Sequence, residues 1–77
     1  MTHQELHDFF TSRGWQMKPN STAYYHDAHP TTRYKVNKLV LRKERKGSVT
    51  GDWFRVSSGY INHISVNAVG KLEGMHT

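Results

Sequence analysis

The apolar positions of this chain follow two rhythms, one of a helix and one of strands. Leu6, Phe9 and Phe10 stand at the i, i+3, i+4 spacing of a single helical face. Ahead of them Thr2-His3-Gln4-Glu5 fits a capping box, in which the Thr2 hydroxyl accepts from the Glu5 amide and the Glu5 carboxylate accepts from the Thr2 amide. Glu5 and Asp8 lie near the positive start of this segment and Arg13 near its end, as the helix dipole prefers. Gly14 stands where a left-handed residue ends a helix, and Trp15 is placed to fold back on the apolar face. The pattern predicts a helix over 2–13.

The rest of the chain reads as extended. Pro19-Asn20-Ser21 is a turn cluster, 22–26 (TAYYH) a short strand, and Asp27-Ala28-His29-Pro30 a second turn. A long strand is predicted over 32–44, inside the tract TTRYKVNKLVLRKERK (31–46). Its alternation is imperfect: Tyr34, Val36 and Val40 point one way, Leu39 and Leu41 the other. A bulge near Lys38 would bring both sets to one core, because one extra residue flips every position downstream. Residues 47–51 (GSVTG) read as a loop and 52–56 (DWFRV) as a strand. Ser57-Ser58-Gly59 reads as a three-residue hairpin loop leading into a further strand from Tyr60 to Val66. That register puts Phe54, Val56, Tyr60, Ile64 and Val66 on one face, and Trp53, Arg55, Ile61, His63 and Ser65 on the other. It also leaves Asn62 among the apolar set. Gly70 and Gly74 frame a short tail, with Leu72 and Met75 placed to dock on the sheet edge.

Together these elements predict an α+β domain: an N-terminal helix packed on one face of an antiparallel sheet of three or four strands. Nothing remains to cover the other face of the sheet, so function is expected there. Seventy-seven residues make one domain, and the nine aromatic residues suit a small core. With no cysteine, neither disulfides nor a thiolate zinc site can brace it. Good packing, or a second copy, must supply the stability, so monomer and homodimer are both expected states. No apolar run approaches the length of a membrane span, and the first ten residues lack the basic and apolar regions of a signal peptide, so a cytoplasmic protein without a membrane partner is expected.

Charge narrows the classes of partner. Eleven Lys and Arg face six Asp and Glu, for a net charge of +5. Seven of those cations, Arg33, Lys35, Lys38, Arg42, Lys43, Arg45 and Lys46, fall in the tract 31–46 against one acid, Glu44. Such an excess favours nucleic acid, an acidic protein surface or anionic lipid. Cations spaced by two along a strand share a face, and Trp53 beside Arg55 and His63 adds a stacking platform for unpaired bases. No zinc finger, RNP-type aromatic pattern or helix-turn-helix is present. The expected binding residues are Arg42, Lys43, Arg45, Lys46, Trp53, Arg55 and His63, with Arg33, Lys35 and Lys38 secondary. The bland alternative is a solvated strand edge, where lysine guards against edge-to-edge pairing.

Six histidines invite a test for metal or catalysis. His3 and His7 are four apart on the helix, and His26 and His29 are three apart in a turn. There is no HExxH and no acidic residue in a ligand pattern, so no metal or cofactor is expected. His26, His29 or His63 with Asp27 or Asp52 and Arg33 or Arg55 make the inventory of an RNase-like cleavage, but spacing alone does not bring them together.

Glu5-Leu6, Phe10, Gly14-Trp15 and a hairpin ending in His29-Pro30 resemble the N-terminal half of HicA-type toxins, over about 30 residues. The resemblance implies a helix on a three-stranded sheet and RNase activity through a histidine. The Gly-Ser-His segment of that family has no counterpart here, the nearest stretch being Ser21 to His26. The family closes with a helix, whereas strands are predicted here, and no catalytic residue is carried over. The sequence therefore reads as a small basic binding module without catalysis, a nucleic-acid-binding accessory or regulatory protein. The alternative is a protein-binding regulator or inhibitor of bacterial or phage type, acting through the open sheet face or an edge.

Overall fold

A computed structural model of the chain describes residues 1–74. Helix α1 (His3–Ser12) is followed by five strands, β1 (Gln16–Met17), β2 (Ala23–Tyr25), β3 (Thr32–Asn37), β4 (Val40–Lys46) and β5 (Trp53–Tyr60). A 3₁₀ turn (Ile61–His63) then leads to helix α2 (Val66–Gly74). The strands form one sheet in the order β1-β2-β3-β4-β5, antiparallel throughout. The class is α+β, with one strand more than the larger number expected.

The ends of α1 form as its sequence predicts. The Glu5 amide donates to Thr2 Oγ1 at 3.1 Å and the Thr2 amide donates to Glu5 Oε1 at 2.9 Å. Gly14 takes φ +88°, and the Trp15 amide donates back to the Phe10 carbonyl at 3.0 Å. Only glycine suits this corner: besides the left-handed φ, a Cβ here would stand 2.8 Å from His26 Nε2.

The reversal carries Trp15 under the helix into an aromatic core. The Phe10 ring lies 4.9 Å from Tyr24 and 4.8 Å from Tyr34, and Trp15 meets Tyr34 edge-on at 4.9 Å. Leu6, Phe9, Leu41, Ile61 and Val69 complete the buried cluster, so both helices and the 3₁₀ turn contribute to one side of the sheet. The register puts Tyr24, Tyr34, Val36, Leu41 and Lys43 on that side.

Lys43 is the exception among these apolar neighbours, at 2% exposure. Burial, followed by the nearby Arg45 charge, pulls its ammonium below the ordinary lysine value of 10.5. The folded state therefore binds a proton less readily than the unfolded chain. Lys43 costs stability at neutral pH, and that cost shrinks as pH rises through the lowered value toward 10.5. Lys43→Met is expected to raise stability by on the order of 1 kcal/mol at pH 7. Urea midpoints measured at pH 7 and about pH 10 should show the gap between variant and wild type closing. A gap constant across that range would contradict the assignment.

Three expectations are corrected. The long strand over 32–44 is two strands, joined by a two-residue turn at Lys38-Leu39 with Lys38 at φ +55°. No bulge lies near Lys38: the turn itself brings Leu41 round to join Tyr34 and Val36, while Val40 turns away. The sheet's irregularity falls instead between Lys43 and Glu44, opposite β5, where Val56 is the extra residue. Second, no hairpin forms at Ser57-Ser58-Gly59. These residues continue β5, held by pairing along β4 to Tyr60, and the predicted register with a strand from Tyr60 to Val66 does not exist. Phe54, Val56, Tyr60 and Val66 are consequently exposed, while Ile61 is buried. Third, the chain closes with a helix. Ser65 caps it, its hydroxyl accepting from the Ala68 amide at 3.2 Å, and Val69 is buried. The docking predicted for the Leu72 and Met75 side chains lies outside the described residues, although Leu72 stands in α2 rather than in a tail.

Candidate functional site

With both helices on one side, the opposite face of the sheet is open. Alternation assigns it Tyr25 from β2, Arg33 and Lys35 from β3, Val40, Arg42, Glu44 and Lys46 from β4, and Trp53, Arg55, Ser58 and Tyr60 from β5. Five cations thus share a face with one carboxylate. Cross-strand pairing aligns Lys35, Arg42 and Ser58 in one row, and Tyr25, Arg33, Glu44 and Arg55 in another.

The second row is tied together. Arg33 Nε donates to Glu44 Oε1 at 2.7 Å, and another guanidinium nitrogen donates to the Tyr25 hydroxyl at 3.0 Å. The guanidinium lies 4.4 Å from the Trp53 ring centre, and Tyr25 meets Trp53 edge-on at 6.2 Å. Lys18 Nζ stands 4.5 Å over the Tyr25 ring. Burial alone would make Arg33 easier to deprotonate, but the bonds to Glu44 and Tyr25 outweigh it and hold its proton more firmly. Burial likewise pushes the Tyr25 phenol up, while hydrogen bonds from Ser21 and Arg33 and the charges of Arg33 and Lys18 pull it below its ordinary value. This cluster fixes the ring of Trp53, a cation–π contact worth about 0.5–1 kcal/mol at an exposed site. It also uses the face's one acid internally. Among the described residues, Lys35, Arg42, Lys46 and Arg55 take part in no ion pair.

Of the residues singled out in the sequence, Arg42, Lys46, Trp53, Arg55, Arg33 and Lys35 come together on this face. His63 lies beyond the end of β5, its ring 6.2 Å from that of Tyr60. Lys43 and Arg45 do not join them. Lys43 is buried on the helix side, and Arg45 pairs with Thr32 and Phe54 on that same side. Lys38 sits in the β3–β4 turn, where its carbonyl bonds to His3 Nε2 at 2.5 Å. Tyr60 is the residue the sequence reading missed. It is 61% exposed, whereas the mistaken hairpin placed it among the apolar set.

The histidines are placed differently. His26 Nδ1 accepts from the Ala28 amide at 3.0 Å, so Nε2, 3.1 Å from the Arg13 carbonyl, carries the proton. Both ring nitrogens are engaged in holding the turn. His29 stacks on Trp15 at 5.6 Å with its ring nearly parallel. Among the described residues no three His, Asp or Glu side chains converge as a metal site would require. No helix among them is long and apolar enough to cross a membrane. No protein-family model, curated protein or solved structure matches the chain.

Proposed function

We propose that the chain is a non-catalytic nucleic-acid-binding protein that receives its ligand on the open face of the sheet. One observation carries the reading: among the described residues four cations without ion pairs, Lys35, Arg42, Lys46 and Arg55, share that face with Trp53 and Tyr60, and the one acid there is held by Arg33. Cations arrayed on a sheet neutralise successive phosphates and release counterions, while aromatic rings accept bases.

Fluorescence anisotropy with labelled oligonucleotides across a salt series tests the reading. Four phosphate contacts predict that log K falls against log salt with a slope of about −2.8 for a single strand. Affinity that ignores salt, or no binding at moderate ionic strength, would sink it.

A second reading rests on β5. This eight-residue strand is an open edge with Phe54 and Val56 exposed and one charge, Arg55, so a partner protein could extend the sheet by adding a strand. Strand addition uses backbone groups and apolar side chains, so it should survive reversal of the face's charges, which the first reading does not.

A further inference from the structure

On the open face, β4 and β5 leave a groove of about 380 Å³ lined by Val40, Arg42, Arg55, Ser58, Gly59 and Tyr60. It exists because the small Ser58 lies across from Arg42, between the longer Arg55 and Tyr60. The extra residue Val56 interrupts the ladder next to Arg55, a device that re-aims neighbouring side chains. Two guanidinium groups therefore line one concavity without a carboxylate partner among the described residues. An anion seated there would relieve their mutual repulsion and take bidentate hydrogen bonds.

The groove is larger than a phosphate alone requires, and one wall is the exposed ring of Tyr60, which lies 6.2 Å from the His63 ring and nearly perpendicular to it. Trp53 is less available for stacking, since the Arg33 guanidinium lies over its ring. We propose that this groove is a subsite for one unpaired nucleotide of a single strand, with its phosphate between Arg42 and Arg55, a hydrogen bond from the Ser58 hydroxyl, and its base on Tyr60. The proposal rests on the open-face reading above and sharpens it. A duplex offers phosphates to the arginines but keeps its bases stacked internally, so it gains nothing from Tyr60. The strand continues along β5 toward Lys46 and Trp53, roughly 20 Å away at the rise of an extended chain.

The test uses the full chain and five probes: labelled dT12, U12, an abasic deoxyribose 12-mer, an abasic ribose 12-mer, and a 12-base-pair duplex. Wild type should bind dT12 or U12 about tenfold tighter than the abasic strand of the same sugar, the gain expected of one stacked base. The tighter of dT12 and U12 identifies the polymer. Tyr60→Leu should lose the preference for base-bearing over abasic strands, and Tyr60→Phe should keep it. Equal wild-type affinity for base-bearing and abasic strands, or a preference that survives Tyr60→Leu, overturns the subsite yet leaves salt-dependent open-face binding standing. If folded wild type binds none of the five probes, both readings fall together. The wild-type comparison stands even if Tyr60→Leu fails to fold.

Discussion

Trp15→Ala is expected to leave the chain largely unfolded at room temperature. The indole is 1% exposed and touches four rings at once. It meets Phe10 edge-on at 6.0 Å, Tyr34 edge-on at 4.9 Å and His26 at 5.1 Å, and stacks with His29 at 5.6 Å. Truncating a buried tryptophan costs about 3–5 kcal/mol in transfer and cavity terms. A chain of this length holds about 4–12 kcal/mol in all, and its small size places it toward the lower part of that range. The substitution also removes what holds α1 against the turn carrying His26 and His29, so the loss should be cooperative. Far-UV circular dichroism with a urea titration gives the readout. A cooperative transition within a few tenths of a molar of wild type would refute this account of the core. Trp53→Ala provides the contrast: that ring lies on the open face, its loss removes a cation–π contact of about 0.5–1 kcal/mol, and the variant should fold.

The contrast between the two tryptophans shows what could be read from the chain. Trp15 was legible because its signals are local: a capped apolar stripe, then Gly14, then a large ring one residue later. Trp53 was correctly placed opposite the helices together with Arg55, since that needed only the alternation of one strand. The reading failed where a turn lacks its usual residues. Lys38 adopts a left-handed φ with no glycine beside it, so the tract 31–46 passed for one strand. Conversely, Ser57-Ser58-Gly59 looks like a turn yet stays extended, because β4 offers it partners from Lys43 to Leu41 that a local pattern cannot reveal. That single misplacement hid α2, whose signals, the Ser65 cap and the Val66, Val69 spacing, were present. It also hid Tyr60. Arg42, Lys46 and Arg55 come together despite these errors because the basic cluster does lie beside the loop 47–51, and alternation along β4 turns Arg42 and Lys46 to the face that carries Arg55. Lys43 was lost for the same reason: it is out of phase with Arg42 and must point inward.

Reversing those three charges should silence the open face without disturbing the core. Arg42 is half-buried and Lys46 and Arg55 are exposed, and none of them is in an ion pair among the described residues, so Arg42→Glu, Lys46→Glu and Arg55→Glu together should fold. Glu at 55 would face Glu44 across the strands, a like-charge pair costing a few tenths of a kcal/mol. Arg33 is deliberately left in place, because removing it would strand the buried Glu44 and confuse stability with binding. The net charge of the chain moves from +5 to −1. Oligonucleotide affinity should fall by on the order of 100-fold at moderate salt, and the slope of log K against log salt should flatten by about 2, since three phosphate contacts disappear. The neutral version, with glutamine at all three positions, should flatten the slope equally with a smaller loss of affinity, because it removes attraction without adding repulsion. The slope is the decisive measurement. A general dependence on net charge would weaken binding equally for three reversals placed at Arg13, Arg45 and Lys71, away from the open face, whereas a site on the β4–β5 face responds to its own residues. If both triple variants behave alike, the face has no privileged role. A partner protein whose affinity is untouched by the β4–β5 reversal would shift the function to the edge of β5.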